Sequence, residues 1–290
     1  MGARLSHTGQ AVTLAGTWSA ALEAIDRQGL RVDAEGGCIH APARALRLDT
    51  QGAMPHADFV LVLVKAHRTA SVAKPAAEAA AQDGILATLQ NGLGNREALE
   101  AAAGTGRVIV GVTTAGATLL APGHARGHMA ETSIGETADG RAEAFASLLR
   151  GAGLPARLTR DIDVLLWSKL AVNCAINPLT ALHGVANGAL LERPEWRAAM
   201  EAAAREVQAV AAAQGIPLEN PAERAFAVAQ LTAANRSSML QDLERGVPTE
   251  IDAICGAVVR EGARLGIPTP VNAALLDAIH VREALLANAR

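Results

Sequence analysis

The sequence predicts an α/β protein, with a Rossmann-like parallel-sheet domain in residues 1–160 and an all-α domain in residues 161–290. Two observations lead to this prediction. In the first half, short apolar runs alternate with helical segments, as they do in βαβ units. From residue 161 onward the apolar residues have helical spacing, and Pro- and Gly-containing breakers separate the segments. A chain of 290 residues is long enough for two domains.

The apolar runs define the elements of the first domain. Residues 2–9 have the character of a helix that is closed by Gly9. Strands are predicted at residues 11–15, 58–64, 84–89 and 108–112, and helices near residues 19–28, after residue 64 and from residue 95. The run DFVLVLV is continuous and β-branched, which is typical of a parallel strand buried on both faces. Residues 113–136 are rich in Gly, Thr and His and predict added antiparallel strands.

A Rossmann-like domain normally opens with a strand that leads into a glycine-rich phosphate loop. The sequence contains no GxGxxG, and it begins as if inside the first helix of a βαβ unit. We therefore expect either a truncated or mis-started gene product or impaired cofactor binding.

Helices dominate the second domain. They are predicted at residues 162–175, 194–214, 222–234, 249–265 and 270–287. Because Pro178 follows Asn177, the first of these helices is expected to bend or end there. The Ala-rich helices can pack within the domain or against a second subunit, which leaves a monomer and a homodimer both open.

The composition limits which residue types can form the core and which catalytic mechanisms are possible. Half of the residues are hydrophobic and only 2% are aromatic, so the core must be built from Ala, Leu, Val and Ile. The 26 cationic and 29 acidic side chains nearly balance, which argues against a nucleic-acid partner. Tyrosine is absent, which excludes mechanisms that need a phenol as acid or base. Lysine is rare and occurs only at positions 65, 74 and 169.

The sequence predicts a cytoplasmic protein without a membrane partner. No apolar run reaches the ~18–20 residues that span a membrane, and the N-terminus lacks the layout of a secretory signal. Cys38, Cys174 and Cys255 are far apart, with no CxxC and no paired Cys/His spacing, so no metal site is predicted. We interpret each cysteine as a small buried hydrophobe.

Two candidate residues follow consecutive predicted strands. Lys65 ends the run DFVLVLV, and Asn91 lies in the turn QNGLGN after the next strand. Both positions are at the carboxyl edge of the predicted sheet, where open α/β folds bind ligands. Both also have a purely structural interpretation. Lys65 can be a solvated lysine whose aliphatic stem lies on apolar surface, and Asn91 can belong to an ordinary turn.

A third candidate site lies in the helical segment WSKLAVNCAINPLTA. Lys169, Asn173 and Asn177 recur at i, i+4 and i+8, so a helix aligns them on one face. Buried amides need partners because an unpaired polar group costs ~1–3 kcal/mol, and a ligand could supply them. The alternative is a solvent-facing stripe, although Asn is a poorer helix former than the Arg, Glu and Gln that suit exposed faces.

The fourth place comprises the segments NRSSMLQD (residues 235–242) and TEID (residues 249–252). Thr249 suits an N-cap position, and Asp252 could close an imperfect capping box. TEID therefore has a purely structural interpretation beside a functional one.

Together these segments resemble the ketopantoate reductase (2-dehydropantoate 2-reductase) family over essentially the whole chain. The similar segments are GARLSHTGQAVTL, VLVLVKA, TLQNGLGN, GVTTAGATLLAPGHARGHMAETSIGE, WSKLAVNCAINPLTALHG, NRSSMLQDLERGVPTEIDAICG and GIPTPVN. The combination of KLxxNxxINPLTA, SSMxQD and TEID is highly specific, whereas any one of the three alone would not be.

The resemblance implies the reduction of a small keto acid, ketopantoate, to pantoate by NADPH in pantothenate biosynthesis. It assigns Lys169 as the general acid and Glu250 as a group that binds a substrate hydroxyl or orients Lys169. Lys65 and Asn91 would lie near the nicotinamide and the substrate. The residues that would hold the substrate are Asn173, Asn177 and Ser238, with Asn235 as a weaker candidate.

Cofactor preference and substrate each leave an alternative open. Many members of the family carry an arginine shortly after VTL that takes the 2′-phosphate of NADPH, whereas this sequence has AGTWS with Thr17 there, so NAD is not excluded. A related reductase of another branched 2-keto acid is one alternative function. A catalytically impaired relative is another, because the pyrophosphate loop is missing.

Overall fold

The computed structural model describes residues 1–34, 36–48 and 54–288 and divides into two compact units. Unit 1 consists of Met1–Val62, Val72–Leu89 and Leu99–Ile162. Unit 2 consists of the remaining segments, Leu63–Ser71, Gln90–Ala98 and Asp163–Arg290. Two short segments of the first half thus belong to the unit that holds the second half.

Helices and strands alternate in the first half of the chain, as predicted. The helices are α1 (Gly2–His7), α2 (Ser19–Gln28), α3 (Thr69–Ala79), α4 (Asn95–Ala103) and α5 (Arg141–Gly151). The strands are β1 (Thr13–Gly16), β2 (Leu30–Ala34), β3 (Gly37–Ala41), β4 (Arg44–Arg47), β5 (Ala57–Val62), β6 (Ala80–Thr88), β7 (Val108–Thr113), β8 (Gly116–Ala121), β9 (His124–His128), β10 (Thr132–Gly135) and β11 (Ala156–Thr159). The short elements β2, β3, β4, β11 and α5 have no counterpart in the sequence prediction.

The main sheet of unit 1 has the strand order β11-β10-β7-β6-β5. Strands β5, β6 and β7 are parallel, while β10 runs antiparallel to β7. A second sheet has the order β3-β2-β9-β8, with β8 and β9 antiparallel, and β1 pairs with β4 in parallel. The predicted Rossmann-like sheet and the antiparallel strands in residues 113–136 are therefore confirmed.

Aliphatic side chains and one phenylalanine pair form the core of unit 1. Ile85, Ile109 and Ile134 are almost fully buried and belong to one cluster with Phe145 of α5. The ring of Phe145 lies 5.6 Å from that of Phe59 on β5. The predicted strand at residues 58–64 extends too far, because β5 ends at Val62 and the chain then passes into unit 2.

Unit 2 is helical in its second half, which confirms the predicted class. Its helices are α6 (Ile162–His183), α7 (Pro194–Ala212), α8 (Pro221–Leu231), α9 (Ser238–Arg245), α10 (Cys255–Leu265) and α11 (Pro270–Asn288). Alanines supply much of the core, with Ala203 and Ala204 of α7 and Ala225 and Ala229 of α8 fully buried. Small side chains at these positions let the two helices pack closely.

The helix was expected to bend or end at Asn177, and it does not end there, since α6 continues through Pro178 to His183. Asn177 and Pro178 are buried in the core, so packing outweighs the backbone hydrogen bond that proline cannot donate. The Thr180 hydroxyl lies 3.0 Å and 2.9 Å from the carbonyl oxygens of Ile176 and Asn177 and shares its one hydrogen with them, so it is bonded within its own helix.

The predicted helix over residues 249–265 is also shorter than expected, because α10 begins only at Cys255. Thr249 does not cap it. Its hydroxyl accepts the N–H of Ile251 within a turn, and Asp252 is exposed and bonded to His280. A strongly non-helical backbone at Ile254, with φ −99° and ψ −94°, separates these turns from the helix.

The prediction of three buried cysteines holds for Cys174 and Cys255 but is wrong for Cys38, which is exposed on β3. Cys38 is the register partner of Asp33 on β2, at an exposed position of the four-stranded sheet. The local sequence GGCIHA does not distinguish that face from a buried one.

Candidate functional site

A buried carboxylate, Glu250, lies in a polar cluster of unit 2. The residue is 7% exposed. Its Oε1 accepts a hydrogen bond from the backbone N–H of Ala66 at 3.0 Å, and its Oε2 accepts one from Nδ2 of Asn91 at 3.3 Å. A buried carboxylate is costly unless it is hydrogen-bonded and paired, so this set of donors explains how Glu250 is accommodated.

Lys65 contacts two carboxylates in the same cluster. Its Nζ lies 2.6 Å from Oδ2 of Asp242 and 3.7 Å from Oε2 of Glu250. Asp242 is on α9 and is 4% exposed. Burial raises the pKa of the Asp242 carboxyl above its usual 3.8, and the hydrogen bond from Lys65 opposes that rise.

Asp242 is a site residue that sequence reasoning missed. It stands in the segment NRSSMLQD, which the sequence singles out, but only Asn235 and Ser238 of that segment were candidates. Lys65 and Asp242 are 177 positions apart in the chain, so no local pattern links them.

Lys169 of α6 is half-buried and interacts electrostatically with Glu250. Burial lowers the pKa of its ammonium from 10.5 to about 8, against the opposing effect of the Glu250 carboxylate. A group whose pKa lies near the working pH is suited to give up a proton during a reaction.

The segments that carry Lys65 and Asn91 are joined by a side-chain network. Nε2 of Gln90 donates to the Val64 carbonyl oxygen at 2.5 Å and to Oγ1 of Thr69 at 2.8 Å. The Thr69 hydroxyl donates to Oδ1 of Asn95, whose Nδ2 donates to the backbone oxygen of Asn91. These buried bonds fix both segments relative to each other.

The segment with Asn91 is also fixed against the residues that follow Glu250. The N–H of Leu93 donates to the Ala253 carbonyl at 2.9 Å. Gly92 has a φ of +80°, and a Cβ there would lie 2.3 Å from the same carbonyl oxygen. Only glycine fits this close approach, so the NG signal in QNGLGN marks a packing contact as well as a turn.

The other predicted substrate residues lie on α6 and near α9. Asn173 and Asn177 follow Lys169 at successive turns of the continuous helix, with Asn177 buried and Asn173 half-buried. Asn235 and Ser238 are exposed. Their roles stay predictions.

Ser237, and not Ser238, makes the hydrogen bonds that stabilise the start of α9. Its Oγ accepts the N–H of Leu240 as the N-cap of α9 and lies within hydrogen-bond distance of the Thr180 hydroxyl oxygen, at 2.7 Å. The neighbouring Ser238 hydroxyl is left on the exposed side.

A second group of donors lies in unit 1, after β1. Thr17 is exposed directly after β1, and Ser19 begins α2. Arg47 ends β4, in register with Gly16, and its guanidinium donates to the Ser19 hydroxyl. A guanidinium beside a hydroxyl is a donor set that suits a phosphate group. Sequence reasoning missed Arg47 because it did not predict the strand β4.

Within residues 1–34, 36–48 and 54–288, no three His, Cys, Asp or Glu side chains lie together as a metal site would require. In the same residues, no helix is both long and apolar enough to cross a bilayer.

The fold defines the class of the chain, a Rossmann-like α/β unit combined with a helical unit that holds the polar cluster. The family model described as "Ketopantoate reductase PanE/ApbA" matches residues 1–139, and "Ketopantoate reductase PanE/ApbA C terminal" matches residues 161–283. The chain belongs to the ketopantoate reductase family.

Individual relatives agree with this membership. A protein of Archaeoglobus fulgidus named 2-dehydropantoate 2-reductase is 42% identical over 227 residues, covering 77% of this chain and 76% of the relative. The crystal structure of a PanE/ApbA family ketopantoate reductase from Ralstonia eutropha is 31% identical with a TM-score of 0.90, covering 99% and 95% of the two chains. D-mandelate dehydrogenase with NADH and anilino(oxo)acetate has a TM-score of 0.91 at 23% identity, covering 99% and 95%, and shows the fold alone.

Proposed function

We propose that this chain reduces the 2-keto group of 2-dehydropantoate with NADPH to give pantoate for pantothenate biosynthesis. The observation that carries the proposal is Lys169, a half-buried lysine that interacts with the buried carboxylate of Glu250. The name of the Archaeoglobus fulgidus relative supports this substrate.

Lys169 is proposed as the general acid. Reduced nicotinamide, when bound, would supply a hydride to the carbonyl carbon. The Lys169 ammonium donates a proton to the carbonyl oxygen, where negative charge would otherwise develop. With a pKa of about 8 it is protonated at neutral pH and still a better acid than an ordinary lysine.

The remaining site residues are proposed to hold the substrate and the nicotinamide end of the cofactor. Glu250 accepts the substrate hydroxyl or orients Lys169. An ammonium has three N–H donors, so Lys65 can donate a hydrogen bond to a ligand in addition to contacting its two carboxylate partners. Asn91 contacts the same Glu250 carboxylate as Lys65. The proposed substrate contacts are Asn173, Asn177, Ser238 and, with less support, Asn235.

Thr17 and Arg47 are proposed to hold the 2′-phosphate of NADPH. The guanidinium of Arg47 provides a cation at the carboxyl end of β1, where the sequence itself has Thr17. In this proposal residues 1–160 bind the dinucleotide and residues 161–290 bind the substrate, with Leu63–Ser71 and Gln90–Ala98 serving the substrate side.

The test is NADPH oxidation, followed by absorbance, with 2-dehydropantoate and with 3,3-dimethyl-2-oxobutanoate, which differs from it only by the missing hydroxyl. We expect turnover with the first compound and a kcat/KM lower by roughly tenfold or more with the second, because a site built to bind a hydroxyl is left with an unpaired polar group. Equal kcat/KM values would contradict the proposed substrate and favour a reductase of other branched 2-keto acids. Folded protein without turnover on either compound would contradict the activity.

A further inference from the structure

The polar cluster of unit 2 contains two lysines and two buried carboxylates, and Lys65 pairs with the carboxylates unequally. Its Nζ lies 2.6 Å from Oδ2 of Asp242 but 3.7 Å from Oε2 of Glu250. Both carboxylates are more than nine-tenths buried, while the Lys65 side chain is 38% exposed, so solvent screens these interactions in part. The charge of Lys65 is therefore balanced mainly by Asp242.

Glu250 is held in place mainly by neutral donors. These are the Ala66 N–H on Oε1 and the Asn91 amide on Oε2. The negative charge of Glu250 acts on Lys169, whose ammonium it stabilises against the effect of burial. The contacts of the cluster thus pair Lys65 with Asp242, while Glu250, which neutral donors hold, is the carboxylate whose charge acts on Lys169.

We propose that Asp242 is a positioning residue that holds the Lys65 ammonium and thereby reserves the Glu250 carboxylate for Lys169. Without the charge of Asp242, Glu250 becomes the anion closest to Lys65 among the contacts of this cluster. Two ammonium groups would then share one carboxylate, and Lys169 would lose part of the interaction that keeps it protonated.

The charged groups that face the cluster come from several segments. Lys65 follows β5, and Glu250 lies in the turns before α10. Asp242 and Arg245 both lie on α9, and Arg245 acts on Asp242 in the same direction as Lys65, since it favours the ionised carboxylate. Loss of the Asp242 charge therefore leaves an excess of positive charge beside Glu250.

The rarity of lysine makes a direct test practical. Lysine labelled with ¹³C at Cε introduces labels at three positions only, and each can be titrated by NMR, with assignments from single Lys→Arg variants. Lys74 is exposed and serves as the internal reference. The inference rests on the function proposed above for the role of Lys169, but this measurement needs no turnover.

Two variants are expected to move the Lys169 titration in opposite directions. Asp242→Asn keeps the shape of the side chain and removes its charge, so the midpoint of Lys169 should fall by about half a pH unit or more. Lys65→Gln removes the competing ammonium, so the midpoint of Lys169 should rise. The midpoint of Lys74 should stay constant in both.

Asp163→Asn is the matched control, because this carboxylate lies on α6 with Lys169 and pairs with Arg96 at 2.8 Å, but is exposed. It should leave the Lys169 midpoint unchanged.

The proposal is overturned if Lys169 titrates alike in the wild type, Asp242→Asn and Lys65→Gln. If Asp242→Asn does not fold, Lys65→Gln decides alone, and an unchanged or lowered midpoint overturns the proposal. Shifted midpoints in a protein without reductase activity would support this pairing and contradict the proposed function.

Discussion

Single residues of the site differ in how far their role depends on burial. Lys169 and Lys74 are the same residue type, yet Lys74 is exposed and only weakly paired with Glu78 at 3.9 Å, whereas Lys169 is half-buried and acted on by Glu250. The sequence identified Lys169 by its spacing to two asparagines. The burial that shifts its pKa is a property of the folded chain.

Replacing Lys169 by Ala should lower kcat by a factor of ~10²–10⁴, the usual loss for a general acid. In the wild type, the acid is active only while protonated, so kcat/KM for reduction should fall as the pH rises through about 8. Steady-state kinetics across pH check both expectations. Lys74→Ala is the control and should match the wild type; a Lys169→Ala enzyme as fast as the wild type would remove Lys169 from its role.

Arg47 is the residue on which cofactor preference is expected to depend. Arg47→Ala should weaken NADPH binding by roughly tenfold or more, since charge-assisted hydrogen bonds contribute about 1.5–3 kcal/mol, and should change NADH binding little. Calorimetric titration of both nucleotides measures this without turnover. Arg44→Ala, at the other end of the same strand, is the matched control. Equal losses for both nucleotides in Arg47→Ala would rule out a 2′-phosphate contact.

At the scale of elements, the connections position the site more than the helices and strands do. The segments after β5 and β6 carry Lys65 and Asn91, and hydrogen bonds from Gln90 and Asn95 hold them together. Sequence patterns predicted β5, β6 and α4 because their apolar periodicity is local. They could not predict that these two connections belong to unit 2, because that depends on contacts between distant segments.

The two glycines of QNGLGN give a test of this positioning. Both have a positive φ, +80° at Gly92 and +92° at Gly94, but a Cβ at Gly92 would overlap the Ala253 carbonyl while one at Gly94 would meet open space. Gly94→Ala should cost about 1–2 kcal/mol of unfolding free energy from the left-handed backbone alone. Gly92→Ala should cost clearly more, and urea denaturation compares the two. Equal losses would mean that the contact with Ala253 contributes nothing.

At the scale of the whole molecule, each unit has its own core, one of sheet and helix and one of Ala-rich helices. A protein with 2% aromatic residues builds both mainly from small and aliphatic side chains, with Phe145 in one core and Trp167 in the other. The helical unit also accommodates charged groups in a buried cluster, and the cost of that burial makes its stability depend on pH.

The free energy of unfolding should rise between about pH 8 and pH 10.5 through Lys169. Below this range both the folded and the unfolded chain bind the proton, so the cost of burying the ammonium is present in full. Within the range only the unfolded chain keeps the proton, so stability increases with pH. Urea denaturation of the wild type and Lys169→Met at several pH values isolates this contribution, and parallel pH dependences of the two proteins would contradict it.

The sequence by itself determined the fold class, the family and most candidate residues, because apolar periodicity, turn signals and the motif KLxxNxxINPLTA are carried by neighbouring residues. Only the tertiary structure decided that α6 runs through Pro178, that α10 begins at Cys255, and that Arg47 stands beside Ser19. It also decided that Lys65 pairs with Asp242 more closely than with Glu250. The physical reason is the same in each case: burial and charge pairing depend on which distant segments pack together, and a local pattern carries no information about that.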